Sequence, residues 1–234
     1  INGSTYNAGA TLAGTTATMA ATLFSQGSNT VTILETDVAG NTVSSSPFTF
    51  TLDTAAPSAP TLALQTDTGL STTDKITSNG LVNITGLETG DKWQYSINGS
   101  TYNAGATLAG TTATMAATLF SQGSNTVTIL ETDVAGNTVS SSPFTFTLDT
   151  AAPSAPTLAL QTDTGLSTTD KITSNGLVNI TGLETGDKWQ YSINGSTYDA
   201  GTTLSGGATA ATLAASLFSQ GSVSYTHLTL PTKA

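Results

Sequence analysis

The chain has 234 residues, no cysteine, and fifteen acidic against five basic side chains, a formal charge of −10. Its basic residues are scattered lysines, which excludes the clustered cations that nucleic acid or an anionic membrane surface requires. The missing cysteines exclude disulfides and thiol chemistry, and no apolar run reaches the ~18 residues of a membrane-spanning helix.

Residues 1–96 recur letter for letter as residues 97–192, and the segment INGSTY returns a third time at Ile193. A period of this length is too long for a solenoid unit and suits a small independent domain, so the chain reads as a slice of a tandem array. Arrays multiply length or valency, which points to a mechanical or adhesive role. The Pro-containing stretch after Asp53 (Thr54-Ala55-Ala56-Pro57) and its copy after Asp149 mark the linkers, because proline stiffens the chain and donates no amide. Residues 54–149 are then one complete module. Residues 1–53 are the C-terminal half of another, and 150–222 the N-terminal part of a third. The third copy leaves the repeat after Ser222, and residues 223–234 (VSYTHLTLPTKA), with the one His227, resemble a translated sequencing adapter and are expected to be an artefact outside the fold.

Within residues 54–149 the pattern is apolar alternation of period two, the signature of half-buried strands. A first strand places Pro60, Leu62 and Leu64 on one face, and a second places Val82 and Ile84 inward. A third aligns Trp93, Tyr95 and Ile97 and turns at Asn98-Gly99, the strongest short hairpin signal. A weak segment follows from Thr101 to Gly110. The next strand is expected to place Ala113, Met115, Ala117 and Leu119 together, and the one after uses Val127 and Ile129. Val134-Ala135-Gly136-Asn137 turns the chain into a last strand with Phe144, Phe146 and Leu148 inward. Six or seven short strands in fewer than 100 residues, with a Trp on the third, predict an all-β immunoglobulin-like sandwich.

The stretches DTGLSTTDKITSNGLVNITG, WQYSINGSTY, ETDVAGN and TLDTAAPSAP, in this order and spacing, resemble the bacterial Ig-like extender repeats of large RTX-type biofilm adhesins. The resemblance covers residues 1–222. It implies a secreted protein on the bacterial cell surface whose repeats contact neighbouring repeats, with Ca²⁺ stiffening the junctions and adhesive contacts to cell-surface or matrix glycans made by domains outside this fragment. The GGxGxD nonapeptide block of RTX proteins is missing from the sequence.

Sandwich topology sorts the acids by end. The loop between the first two strands carries Asp67 and Asp74, and the last strand ends at Asp149; the opposite end carries Glu88, Asp91 and Asp133. At the first junction Asp53 is expected to meet Glu88, Asp91 and Asp133. At the second, Asp149 is expected to meet Glu184 and Asp187. The repeat equivalents Asp37, Asp163 and Asp170 complete the candidate metal ligands: Asp37, Asp53, Asp67, Asp74, Asp91, Asp133, Asp149, Asp163, Asp170 and Asp187. Two carboxylates ~4 Å apart repel by about 4 kcal/mol at an effective dielectric of 20, which a counter-ion relieves. Ca²⁺ accepts six to eight oxygens in flexible geometry, Mg²⁺ holds its waters, and Zn²⁺ favours Cys or His. Each acid also has a plain reading. Asp67 and Asp74 form turns by accepting backbone amides, Asp133 is a hairpin residue, and Asp149 a solvated linker charge. Glu35 and Glu131, mid-strand, are the weaker candidates.

Catalysis is not expected. With no Cys, no Arg and no second His, nucleophilic and acid–base machinery is missing, and Glu88 and Asp91 in one loop do not make a glycosidase cleft. A rival to the spacer reading is multivalent glycan binding by stacking on exposed aromatics such as Tyr102 or Tyr198. A further expectation concerns the ends: residues 1–53 hold the strands that residues 150–222 lack, which invites head-to-tail strand donation between chains.

Overall fold

The computed structural model describes residues 1–3, 14–105, 110–193, 195, 197–200 and 209–219. It divides into two compact units, Ile1–Thr150 and Ala151–Ala234. Among the described residues the regular structure is strand, with three single-turn 3₁₀ segments and no α-helix.

The first unit opens with four strands of the incomplete copy: β1 (Gly27–Val31), β2 (Leu34–Thr36), β3 (Thr42–Ser44) and β4 (Phe48–Leu52). β1 pairs antiparallel with β4, and β2 with β3. The complete module follows with β5 (Thr61–Leu64), β6 (Ile76–Thr77), β7 (Val82–Thr85), β8 (Lys92–Ile97) and β9 (Asn103–Ala104). It continues with β10 (Thr112–Met115), β11 (Gly123–Thr132), β12 (Thr138–Ser140) and β13 (Phe144–Leu148). One sheet runs β10-β7-β5; the other runs β6-β13-β11-β8-β9, with β12 on β11. Their facing sides enclose one core of Val82, Ile84, Leu87, Trp93, Met115, Phe120, Val127, Ile129, Phe146 and Leu148. This is the immunoglobulin-like β-sandwich that the alternation predicts.

The inward residues of five strands are those expected. Val82, Ile84, Val127 and Ile129 are fully buried, and Trp93 is 6% exposed. Asn98 and Gly99 both hold positive φ, 52° and 74°, the type I′ geometry that asparagine and glycine tolerate. The strand expected through Leu119 is corrected. Strand β10 ends at Met115, and the amides of Leu119 and Phe120 bond back to Ala116 and Ala117 at 3.1 Å. That 3₁₀ turn rotates Leu119 to 39% exposure and buries Phe120 instead, where it meets Phe146 edge-on at 5.0 Å. Asn125 fixes the approach to β11. Its Nδ2 donates to the carbonyls of Ser121 and Gly123, and its Oδ1 accepts the Ser121 amide. The short β6, which the alternation does not foresee, runs parallel to β13. Residues 106–109 of the weak segment lie outside the described residues.

The second unit holds β14 (Thr157–Leu160), β15 (Val178–Thr181), β16 (Gln190–Tyr191), β17 (Asp199–Ala200) and β18 (Ala210–Leu213). Its sheet β14-β15-β18 repeats the order β5-β7-β10 with the same register. The tail at residues 223–234 lies outside the described residues. Among the described residues no helix is long and apolar enough to cross a membrane.

Candidate metal centre

The end of the complete module that faces Asp53 is built by two loops and the end of one strand. Alternation along β11 puts Val127, Ile129 and Glu131 on one face, so Glu131 enters the core side with no exposed surface. Its Oε1 accepts the Glu88 amide at 2.6 Å, while Oε2 is buried with no hydrogen-bond partner. In the loop before β8, the Asp91 amide bonds to the Glu88 carbonyl at 3.3 Å, which folds the loop into a turn. Asp91 Oδ2 is likewise buried and unpartnered. Beyond β11, Asp133 closes the hairpin. Its carboxylate accepts the amide and the side-chain Nδ2 of Asn137, both at 2.8 Å.

Asp53 arrives from β4. Its carboxylate accepts Gln26 Nε2 at 2.6 Å and the Ala55 amide at 3.1 Å. Its backbone carbonyl accepts Asn137 Nδ2 at 3.2 Å. One amide group of Asn137 thus touches both the linker and Asp133. Glu88 Oε1 accepts the Ser58 amide at 3.4 Å, a second tie between this loop and the linker.

The electrostatics follow from this crowding. Burial, then the charges of Glu88, Asp133 and Asp53, holds the Asp91 carboxyl above the usual aspartate range. Burial is also the largest influence on Glu131 and raises it; the Glu88 amide pulls the other way, and Asp91 and Glu88 push up again. Asp133 is lowered, first by the Asn137 side chain. Asp37, its equivalent in the incomplete copy, is lowered by the same bond from Asn41.

The remaining expected ligands sit in turns. Asp67 Oδ2 accepts the Lys75 amide at 2.9 Å, and Asp74 Oδ1 accepts the Ile76 amide at 3.0 Å. Asp163 and Asp170 repeat both bonds to Lys171 and Ile172. Asp67 Oδ1 and Asp163 Oδ1 are buried without a hydrogen-bond partner. Asp149 Oδ1 accepts Gln122 Nε2 at 2.7 Å, and its amide bonds to Thr77. The Asp187 amide bonds to the Glu184 carbonyl at 3.3 Å. Among the described residues no three carboxylates are arranged as a ready cage for a metal ion. The charges of Glu88, Asp133 and Asp53 thus all reach Asp91. The structure adds Glu131, a weaker candidate by strand position alone. The unpartnered Oε2 and Oδ2 are acceptor oxygens in want of a cation or a donor, the donor type that Ca²⁺ takes.

Residues 55–150 match the family model of the bacterial Ig-like domain. No curated protein matches the chain.

Proposed function

We propose that this bacterial Ig-like domain and its repeats are extender modules of a bacterial cell-surface adhesin, stiffened by Ca²⁺ at the module boundaries and carrying a distal binding domain away from the cell. The reading assigns the chain no catalysis. The observation that carries it is the pair of buried, unpartnered oxygens on Asp91 and Glu131, set among the charges of Glu88, Asp133 and Asp53. A bare cluster of this kind opposes folding; a divalent ion converts the repulsion into coordination. Glu131 and Asp91 would offer the buried oxygens, and Glu88, Asp133 and Asp53 the outer ones, with the linker held through the last of these.

Carboxylates that must close around an ion to form its cage imply modest affinity, on the order of the ~10⁻⁴–10⁻³ M of extracellular calcium modules. Saturation at a hundredfold excess over Kd stabilises the folded state by about 2.7 kcal/mol. The test is a calcium titration followed by thermal melting and small-angle scattering. The expected outcome is a higher Tm and a stiffer, more extended profile with Ca²⁺, both reversed by EDTA. Melting and scattering that ignore Ca²⁺ up to ~10 mM, above that affinity range, defeat the proposal.

A further inference from the structure

Where the backbone pairing of the last strand ends, a side chain takes it over. In β1 and β4 the pairing of Gly27 with Leu52 sets Gln26 opposite Asp53, just beyond the last pair. Gln26 Nε2 donates to Asp53 Oδ1 at 2.6 Å, and its Oε1 accepts both the amide and the hydroxyl of Thr54 at 3.0 Å. One period later Gly123 pairs with Leu148, and Gln122 repeats the grip. Its Nε2 donates to Asp149 Oδ1 at 2.7 Å, and its Oε1 accepts the Thr150 amide at 3.1 Å and the hydroxyl at 3.0 Å. One exposed hydrogen bond contributes little, but three that meet on one carboxamide are made or lost together. Glutamine suits the task because its amide offers a donor and an acceptor at the same end.

The linker after Asp53 is held further along as well. Asp53 Oδ1 accepts the Ala55 amide at 3.1 Å, and Glu88 Oε1 accepts the Ser58 amide at 3.4 Å. Pro57 is buried and has no amide to satisfy. The amides of Thr54, Ala55 and Ser58 thus all find side-chain acceptors. We propose that Gln26 and Gln122 are positioning residues that fix the course of the linker leaving each module, with no metal ion needed. At the first junction the preceding module grips Asp53 and Thr54 through Gln26. The following module grips the Asp53 carbonyl through Asn137 Nδ2 at 3.2 Å and Ser58 through Glu88. The junction is braced before a cation arrives, and calcium acts on a linker already aimed. The inference rests on the spacer reading for the purpose of the brace, and on hydrogen bonds alone for its action.

The test uses the full chain in EDTA, so that no cation takes part. The chain has no cysteine, so nitroxides on Ser28→Cys and Ser124→Cys, the same exposed position in successive copies, read the first junction by double electron–electron resonance. A narrow distance distribution is expected for the parent chain and a broad one for Gln26→Ala. Gln26→Glu keeps the volume, loses the donor and sets a charge against Asp53; it is expected to broaden the distribution too. Hydrogen exchange gives the local readout. The amides of Thr54 and Thr150 lie in stretches of identical sequence and are read together. In the double variant Gln26→Ala/Gln122→Ala they are expected to exchange several-fold faster, while those of β11 and β13 keep the parent's rates. A broad distribution in the parent chain overturns the inference. So do variants as narrow as the parent, unchanged exchange at residues 54 and 150, or an acceleration spread through β11 and β13, which would make these glutamines determinants of folding and not of the linker. Calcium is absent throughout, so failure here is distinct from failure of the calcium titration.

Discussion

Single side chains set the tolerance of this sandwich. Gly105 donates its amide to the Trp93 carbonyl at 2.9 Å, and a Cβ built there would overlap the Trp93 indole. Its smallness is thus a packing requirement, and the crowded group is a large, 6% exposed ring with little room to retreat. Gly105→Ala is expected to destabilise the complete module by about 1–3 kcal/mol, the usual cost of overpacking, read as a lower denaturation midpoint. Glu131 poses a question of charge. Its folded-state proton affinity is raised, as is that of Asp91, above ordinary values of 4.5 and 3.8. The metal-free folded state then holds more protons than the unfolded chain between those ordinary values and the raised ones, so stability falls as pH rises through that window. In EDTA the melting temperature is expected to drop as the pH rises above those ordinary values. In saturating Ca²⁺ the slope should reverse, because the ion requires deprotonated ligands. Equal slopes in the two conditions would separate these acids from any metal. The signal for Glu131 is present in the sequence: the alternation that buries Val127 and Ile129 buries it too. A mid-strand position argues against a ligand only when the face it occupies is left out of account. The Gly105–Trp93 contact has no such signal, since it joins a loop to a strand through tertiary packing.

At the level of elements, identical letters adopt different structure according to their neighbours. Residues 123–132 form one ten-residue strand beside β8, with six residue pairs from Val127 to Thr132. The same sequence at residues 27–36 breaks into β1 and β2, because no strand equivalent to β8 lies beside it among the described residues. Likewise the six-residue β8 shrinks to Gln190–Tyr191 in the second unit. Propensity is constant across these pairs, so the difference measures what the cross-strand partner contributes. This also explains which strands are legible. Those with an inner face opposite a packed sheet show alternation strong enough to read directly, as with Phe144, Phe146 and Leu148 on β13. Two-residue β6 and β9 are held by backbone pairing to a neighbour, which leaves no periodic trace. The Ala-rich run after Met115 misleads because alanine and threonine fit either state, and the 3₁₀ turn is selected by the burial of Phe120.

For the whole molecule, the bacterial Ig-like match at residues 55–150 and the unbroken repeat make the module boundary the decisive place. The chain enters the complete module at the linker before β5 and leaves at the end of β13. That exit strand lies parallel to β6, held where the Thr147 amide meets the Lys75 carbonyl at 2.8 Å and the Asp149 amide meets that of Thr77 at 2.9 Å. When an array is stretched, these two strands are dragged in opposite directions along their length. Their bonds are then loaded together in shear instead of being peeled one at a time. Resistance to such a pull is therefore expected to rest on this short parallel clasp between β6 and β13. Thr147→Pro, which deletes one of its hydrogen bonds, should lower the single-molecule rupture force more than it lowers the melting temperature, since forced unfolding follows the barrier and not the equilibrium. A tether built this way would fail module by module at its exit strands, lengthening under gusts while its anchorage holds.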